Sequence, residues 1–186
     1  MTALDRAIEA VRVVPPGGRD IEAHRHTMLD FAAAHPDALH RSCLEGHFTG
    51  SAMVVDDVGG RVLLMLHAKL RRWLQPGGHA DGDANLAHVA WREATEETGL
   101  IGLRVVAPAI DIDVHAIPAR SGEPEHLHLD LRHLVLVGEH TEATLNHEAT
   151  AARWMSPDDP EILTGGDELH RAVGRAIEVA VGLAVR

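Results

Sequence analysis

Glu93, Glu96 and Glu97 stand at positions i, i+3 and i+4 of a segment that otherwise repeats with helical period. A helix over residues 84–98 puts them on one face. Leu86, Val89, Ala90 and Ala94 then fall on the other side. Like charges one turn apart repel, so this helix is poorly stable alone. Its apolar side has to lie on a core, and its acidic side has to meet a compensating charge. A hard cation with oxygen ligands, Mg²⁺ or Mn²⁺, suits that task. The alternative is a solvated acidic face, the usual meaning of a Glu-Glu pair on a surface helix. Asp83 is placed to cap the start of the helix, and Gly99 to take a left-handed position at its end.

The flanking segments supply sheet. Residues 49–56 and 61–68 are short apolar runs split by Asp57-Val58-Gly59-Gly60, the pattern of a hairpin. Arg71-Arg72-Trp73-Leu74-Gln75-Pro76-Gly77-Gly78 reads as a loop of backbone-permissive residues. Residues 103–107, 109–117 and 128–138 read as further strands and Thr150–Met155 as a short last one. A closing helix over 167–184 carries Leu169, Val173, Ile177 and Val181 as its stripe. At the other end, residues 3–14 form a helix ended by Pro15, Pro16, Gly17 and Gly18. A second helix starts from an Asp20 cap, runs to about Ala34 and is closed by His35-Pro36. Residues 1–45 are thus expected as a helical N-terminal extension, and residues 46–186 as the main domain. Strands and helices interleave, so the fold class is α/β (α+β) with a mixed sheet.

Composition narrows the partners. The formal net charge over 186 residues is −11. A sequence-independent hold on duplex nucleic acid needs clustered Lys and Arg, and an anionic membrane surface needs the same. A small phosphorylated substrate is compatible with an acidic chain when a cation stands between the two. Cys43 is the only cysteine, so neither an internal disulfide nor a Cys-based zinc site can form. That usage fits a reducing cytoplasm. Met1 to Val14 carries Asp5 and Glu9 and has no apolar signal core. The expected localisation is cytoplasmic.

Arg92-Glu93-Ala94-Thr95-Glu96-Glu97-Thr98-Gly99-Leu100 resembles the core of the Nudix box, the signature of the Nudix (MutT-like) hydrolases. In that pattern a Gly is followed after five residues by Glu, and then after seven by Arg-Glu-apolar-x-Glu-Glu-x-Gly-apolar; Gly78 takes the first position and the count to Arg92 agrees. Pro76-Gly77-Gly78 before the box and Ala152-Arg153-Trp154-Met155 after it extend the resemblance over roughly residues 47–160. One position departs: Ala84 stands where the first box Glu is expected, with Asp81 and Asp83 close by.

The resemblance implies an α/β/α sandwich and metal-dependent hydrolysis of a diphosphate bond. The substrate would be a nucleoside diphosphate linked to another moiety, or a nucleoside triphosphate. It implies Mg²⁺ or Mn²⁺ as cofactor. Glu96 and Glu97 would be the principal metal ligands, Glu93 a further ligand or the general base, and Arg92 the residue that orients these carboxylates. The backbone of Gly77 and Gly78 would offer a metal-binding carbonyl. Related enzymes often carry a base on a loop outside the box, which makes Glu148 a rival to Glu93. Two other functions share the fold: a catalytically weak nucleotide-binding sensor, favoured by Ala84, and a prenyl-diphosphate isomerase. The isomerase is disfavoured because Cys43 precedes the first strand.

The 15 histidines include one organised group. In His126-Leu127-His128-Leu129-Asp130 a strand puts His126, His128 and Asp130 on one face. That face either binds metal or substrate phosphate or is simply solvated. His79 follows Gly78 and is read as a phosphate or metal contact, or as a hydrogen-bonding loop residue. Lys69, Arg71 and Arg72 are candidates for outer phosphate oxygens. The chain has 3 Trp and no Tyr. Trp73 is the candidate ligand wall and Trp91 is expected in the core. The extension and the closing helix are free to pack on the domain or on a second subunit as a homodimer.

Overall fold

The longest uninterrupted buried segment is β1 (Gly46–Asp56), buried at every position. A strand buried on both faces is one with layers on each side of its sheet. The computed structural model describes residues 1–56, 60–120, 122–138 and 142–184. Its elements are α1 (Ala3–Arg12), α2 (Gly18–Ala34), β1, β2 (Val62–His67), β3 (Trp73–Leu74), β4 (Gly77–His79), α3 (Leu86–Thr98), β5 (Arg104–Ile117), β6 (His126–Val137), β7 (Ala149–Met155), α4 (Pro160–Leu163) and α5 (Asp167–Ala184). The main path of the sheet runs β3-β2-β1-β6-β5, with β4 paired to β1 and β7 to β2. β1 and β6 are parallel, whereas β1–β2, β1–β4, β2–β7 and β5–β6 are antiparallel. The fold is therefore mixed α+β, as the interleaving of the sequence implies.

Strand alternation sorts the core into two sides. Phe48, Leu129 and Leu131 pack with Ala7 and Val11 of α1, Ile21 and Met28 of α2, and Leu86 and Val89 of α3. Ala52 and Val54 continue that side against Ala90 and Ala94 of α3. On the opposite side Met53, Val55, Leu134 and Leu136 meet Leu169, Ala172, Val173 and Ala176 of α5. The N-terminal helices thus share a core with the sheet. α1 opens with a capping box between Thr2 and Asp5. Its last carbonyls, including Val11 O, are covered by the Arg25 guanidinium from α2. A cation there also suits the negative end of the helix dipole. Among the described residues no helix is long and apolar enough to cross a membrane.

Several sequence expectations are corrected. β1 begins at Gly46, three residues before the expected start at 49, and β6 begins at His126 rather than 128. Asp20 does not cap α2; Gly17 stands at the cap and Asp20 lies in the first turn. The two strands expected at 103–107 and 109–117 are one strand, β5, whose ladder breaks between Val106 and Asp111. Pro108 lies inside that break, where the missing N–H costs no ladder bond. Gly77 and Gly78 belong to a strand, not a loop. A Cβ on Gly77 would lie 2.3 Å from Ser51 Oγ, so their bareness allows β4 to sit close to β1. The turn expected at Asp57-Val58-Gly59-Gly60 falls, at 57–59, outside the described residues, as does His140.

Candidate active site

α3 starts from Asn85, whose side chain accepts a hydrogen bond from His88 N. The expected cap, Asp83, instead accepts from Asn85 N at 2.8 Å and pairs with His88 Nδ1 at 2.7 Å. Asp83 organises the turn before the helix, and one carboxylate cannot serve both positions. At the far end Gly99 takes the left-handed conformation (φ 65°), as its sequence position requires. The apolar stripe of α3 faces β1 so closely that a Cβ on Gly50 would lie 2.8 Å from Leu86 O. Trp91 is not in the core: it is 40% exposed and stacks on His88. It lies outside the stripe of Leu86, Val89, Ala90 and Ala94.

The acidic face is aimed back at the sheet. Glu97 is only 5% exposed. Burial pushes its carboxyl up to about 8, and the charges of Glu148, Glu93 and Glu96 add to the rise, against a lowering hydrogen bond from the Gly77 backbone. Four carboxylates from two parts of the chain therefore act on one another here. Glu148 is brought in at the start of β7, where its carbonyl accepts from Ala68 N at 2.8 Å just beyond β2. Arg92 Nη2 donates to Glu93 Oε1 at 2.6 Å and to the His79 carbonyl at 2.9 Å, tying α3 to β4. A Cβ on Gly78 would lie 2.5 Å from Glu93 Cδ. Gly77 and Gly78 are thus the floor on which the glutamates rest.

The Gly78 geometry leads to a prediction. Gly78→Ala displaces the flexible end of Glu93 and not the backbone. Activity is expected to fall at least roughly tenfold, because displacement of about 1 Å at a reacting centre can cost far more than that. The thermal midpoint should stay within about 3 °C of wild type, a loss of about 1 kcal/mol. Steady-state kinetics and a thermal melt of the same preparation check both halves.

The other singled-out residues separate into distinct settings. Arg72 Nη2 donates to Gly165 O at 2.8 Å and so ties β3 to the turn before α5. Trp73 packs against the α5-side core, and the Arg153 guanidinium lies 5.5 Å from its ring centroid. Asp130 accepts from Thr49 Oγ1 at 2.9 Å, Ser51 Oγ at 2.8 Å and Arg132 Nε at 3.3 Å. It is part of a buried ion network in which Arg132 also pairs with Asp111 and Asp113, and Arg171 from α5 reaches the same two carboxylates. Burial alone would raise the Asp113 carboxyl, but the hydrogen bond from His115 and the Arg132 charge hold it well below the usual range. His126 and His128 lie on the same face of β6, further from α5, and His47 and His79 join them there.

Arg41 was not singled out by the sequence. It lies between α2 and β1, and its guanidinium pairs with Asp81 through Nε at 2.8 Å. Its charge is felt at His79 and Glu93. No periodicity marks a lone Arg in a connecting segment, so only the fold reveals that the Arg41 charge lies within reach of His79 and Glu93.

The chemistry of the residues present, four carboxylates that act on one another with Glu97 buried among them, suits a hard divalent ion, although their oxygens are not gathered within 4.8 Å of one another. Comparison with known proteins adds the following. The family model for the NUDIX domain matches residues 46–176. No curated protein sequence matches the chain. Among solved structures, the Caenorhabditis elegans Ap4A hydrolase in a binary complex is similar at TM-score 0.59 and 16% identity, over 73% of this chain and 98% of that one. A NUDIX-family hydrolase from Clostridium perfringens gives 0.53 and 24%, over 74% and 97%. The NUDIX domain of Shewanella oneidensis NrtR complexed with ADP ribose gives 0.52 and 16%, over 71% and 86%.

Proposed function

The chain belongs to the Nudix family of hydrolases, and from that membership we propose that it cuts a diphosphate bond in a nucleotide, using the carboxylates of α3 and a divalent metal, Mg²⁺ or Mn²⁺. The substrate class is a nucleoside diphosphate linked to another moiety, or a nucleoside triphosphate. The observation that carries the reading is the buried Glu97 within reach of the charges of Glu93, Glu96 and Glu148, with Glu93 resting against Gly78. A carboxylate in that position is costly unless it has a cation to bind.

Glu96 and Glu97 would hold the metal, with Glu93 and a Gly78 carbonyl as further donors. When bound, such an ion lowers the pKa of the attacking water and shields the phosphate oxygens. The remaining work belongs to the chain. Arg92 fixes Glu93 by a charge-assisted hydrogen bond and fixes β4 through the His79 carbonyl. Glu148, whose charge acts on Glu97, is the candidate to take the proton from the attacking water, with Glu93 its rival. Arg41 and His79 at the rim are the candidates to meet the outer phosphates. Arg72 and Trp73 are tied to Gly165 and Arg153, which makes them supports for that rim rather than free ligands.

The sensor reading draws on Ala84, which is buried in the core shared by α1 and α3 and supplies no carboxylate. Mg²⁺ and Mn²⁺ titrated against dinucleoside polyphosphates, ADP-ribose-type diphosphates and nucleoside triphosphates decide between the readings. Metal-dependent release of a nucleoside monophosphate or of pyrophosphate is the expected result. Tight binding with no product would establish the sensor and overturn the hydrolase. Rearrangement of a prenyl diphosphate without phosphate release would overturn both.

A further inference from the structure

β1 and β6 are paired in parallel with His47 opposite His128, so both imidazoles rise from the same face of the sheet. His126 lies two residues earlier on that face. The ring centroids are 4.9 Å apart for His47–His126 and 5.2 Å for each of the other two pairs. One ring nitrogen from each lies within 4.8 Å of the others. The Nε2 atoms of all three are buried and have no hydrogen-bond partner. Glu123 Oε1, at 3.8 Å from His126 Nε2, is beyond hydrogen-bond reach. A buried polar atom left without a partner is costly. One atom that accepts a lone pair from each of the three rings would satisfy all of them together.

The opposite edges of two rings settle where those lone pairs are. His126 Nδ1 lies 2.9 Å from Pro124 O, and His47 Nδ1 lies 3.4 Å from Cys43 O. A carbonyl only accepts, so Nδ1 carries the hydrogen and Nε2 is left bare. That is how metal-binding imidazoles are commonly oriented from behind. Burial also favours the uncharged form of two of the rings. Burial lowers His47. Burial, then the neighbouring histidines, pushes His128 down to about 2.

We propose that His47, His126 and His128 form a second metal site, specific for a divalent transition ion of the zinc type and separate from the glutamate face. Imidazole donors favour such ions, whereas Mg²⁺ prefers oxygen. Zn–N bonds of about 2.1 Å set ligand nitrogens roughly 3.4 Å apart, so small ring movements complete the site. Three protein ligands leave a position for water or a phosphate oxygen. His79, with its ring 4.9 Å from His47 and 5.1 Å from His128, flanks that position. A second possible set, His35, Cys43 and Glu45, is already spoken for: Cys43 Sγ points at Glu45 Oε2 and His35 stacks on Phe31.

The test is metal binding, not turnover. The full-length protein is stripped with a chelator and dialysed, then titrated with Zn²⁺ by calorimetry, with bound metal counted by elemental analysis. Co²⁺ substitution supplies a visible spectrum of imidazole coordination. Wild type is expected to hold one zinc per chain, and His128→Ala and His126→Gln to bind at least a hundredfold more weakly. Glu97→Gln should keep its zinc. Zinc should also raise the thermal midpoint of wild type. That rise carries the test if the histidine variants fail to fold. No uptake and no rise in wild type would overturn the proposal. So would zinc retained in folded histidine variants, or zinc lost in Glu97→Gln, which would put the ion among the glutamates. The diphosphate reading is unaffected by any of these results, since it is judged by product.

Discussion

Glu97→Gln is expected to lower kcat/KM by at least a hundredfold while leaving the protein as stable as before or more so. The loss follows from replacing an anionic oxygen donor with a neutral amide in the group proposed to hold the metal. Removing one well-placed electrostatic contact of this kind costs about 10²–10³ in rate. The stability arm follows from the packing. The carboxylate is buried, with Glu148, Glu93 and Glu96 all acting against its charge. Gln has the same shape, keeps an oxygen for the Gly77 amide and carries no charge to repel. In chelator the variant should therefore melt at the wild-type temperature or above it. Activity within tenfold of wild type would sink the assignment of Glu97. A large fall in melting temperature would mean the carboxylate has a structural partner instead.

The second large effect is on the fold alone. Arg132→Met should destabilise the protein by about 3–5 kcal/mol, the usual result of removing one member of a buried ion group. For a chain of this size that is a drop of about 6–20 °C in Tm. Asp111, Asp113 and Asp130 all face the Arg132 guanidinium and are themselves buried. Arg171 reaches Asp111 and Asp113 but makes no ion pair with Asp130. Met fills the volume without the charge. Adding Asp113→Asn to Arg132→Met should recover part of the loss, because it lowers the number of stranded anions. A melt within 2 °C of wild type would show that Arg171, together with Arg175 of α5 at 3.9 Å from Asp111, already suffices.

Much of the site was legible because a helix converts sequence spacing directly into proximity. Glu93, Glu96 and Glu97 needed only the 3.6-residue period, and the Gly99 stop needed only the left-handed conformation. His126 and His128 followed from the two-residue period of a strand. That His47 and His79 join them was invisible, although His79 was singled out for its place after Gly78, because adjacency across a sheet has no local signature. The same limit applies to Asp130. Alternation put it with the histidines, but Arg132, Thr49 and Ser51 engage it. Errors in the fold had similar origins. The runs on either side of Pro108 read as two strands, yet the break in the β5–β6 ladder accommodates the proline within one. Asp83 and Asn85 are both good caps, and periodicity cannot choose between residues two apart.

A strand of three residues, β4, joins the two side-chain groups. Gly77 bonds Glu97, Gly78 abuts Glu93, and His79 offers its carbonyl to Arg92 and its ring to the imidazoles of His47 and His128. The carboxylate group and the imidazole group are therefore yoked by consecutive covalent bonds, at a spacing no side-chain substitution can stretch. A change in the spacing of the two groups therefore has to come through the backbone of β4, not through a side chain.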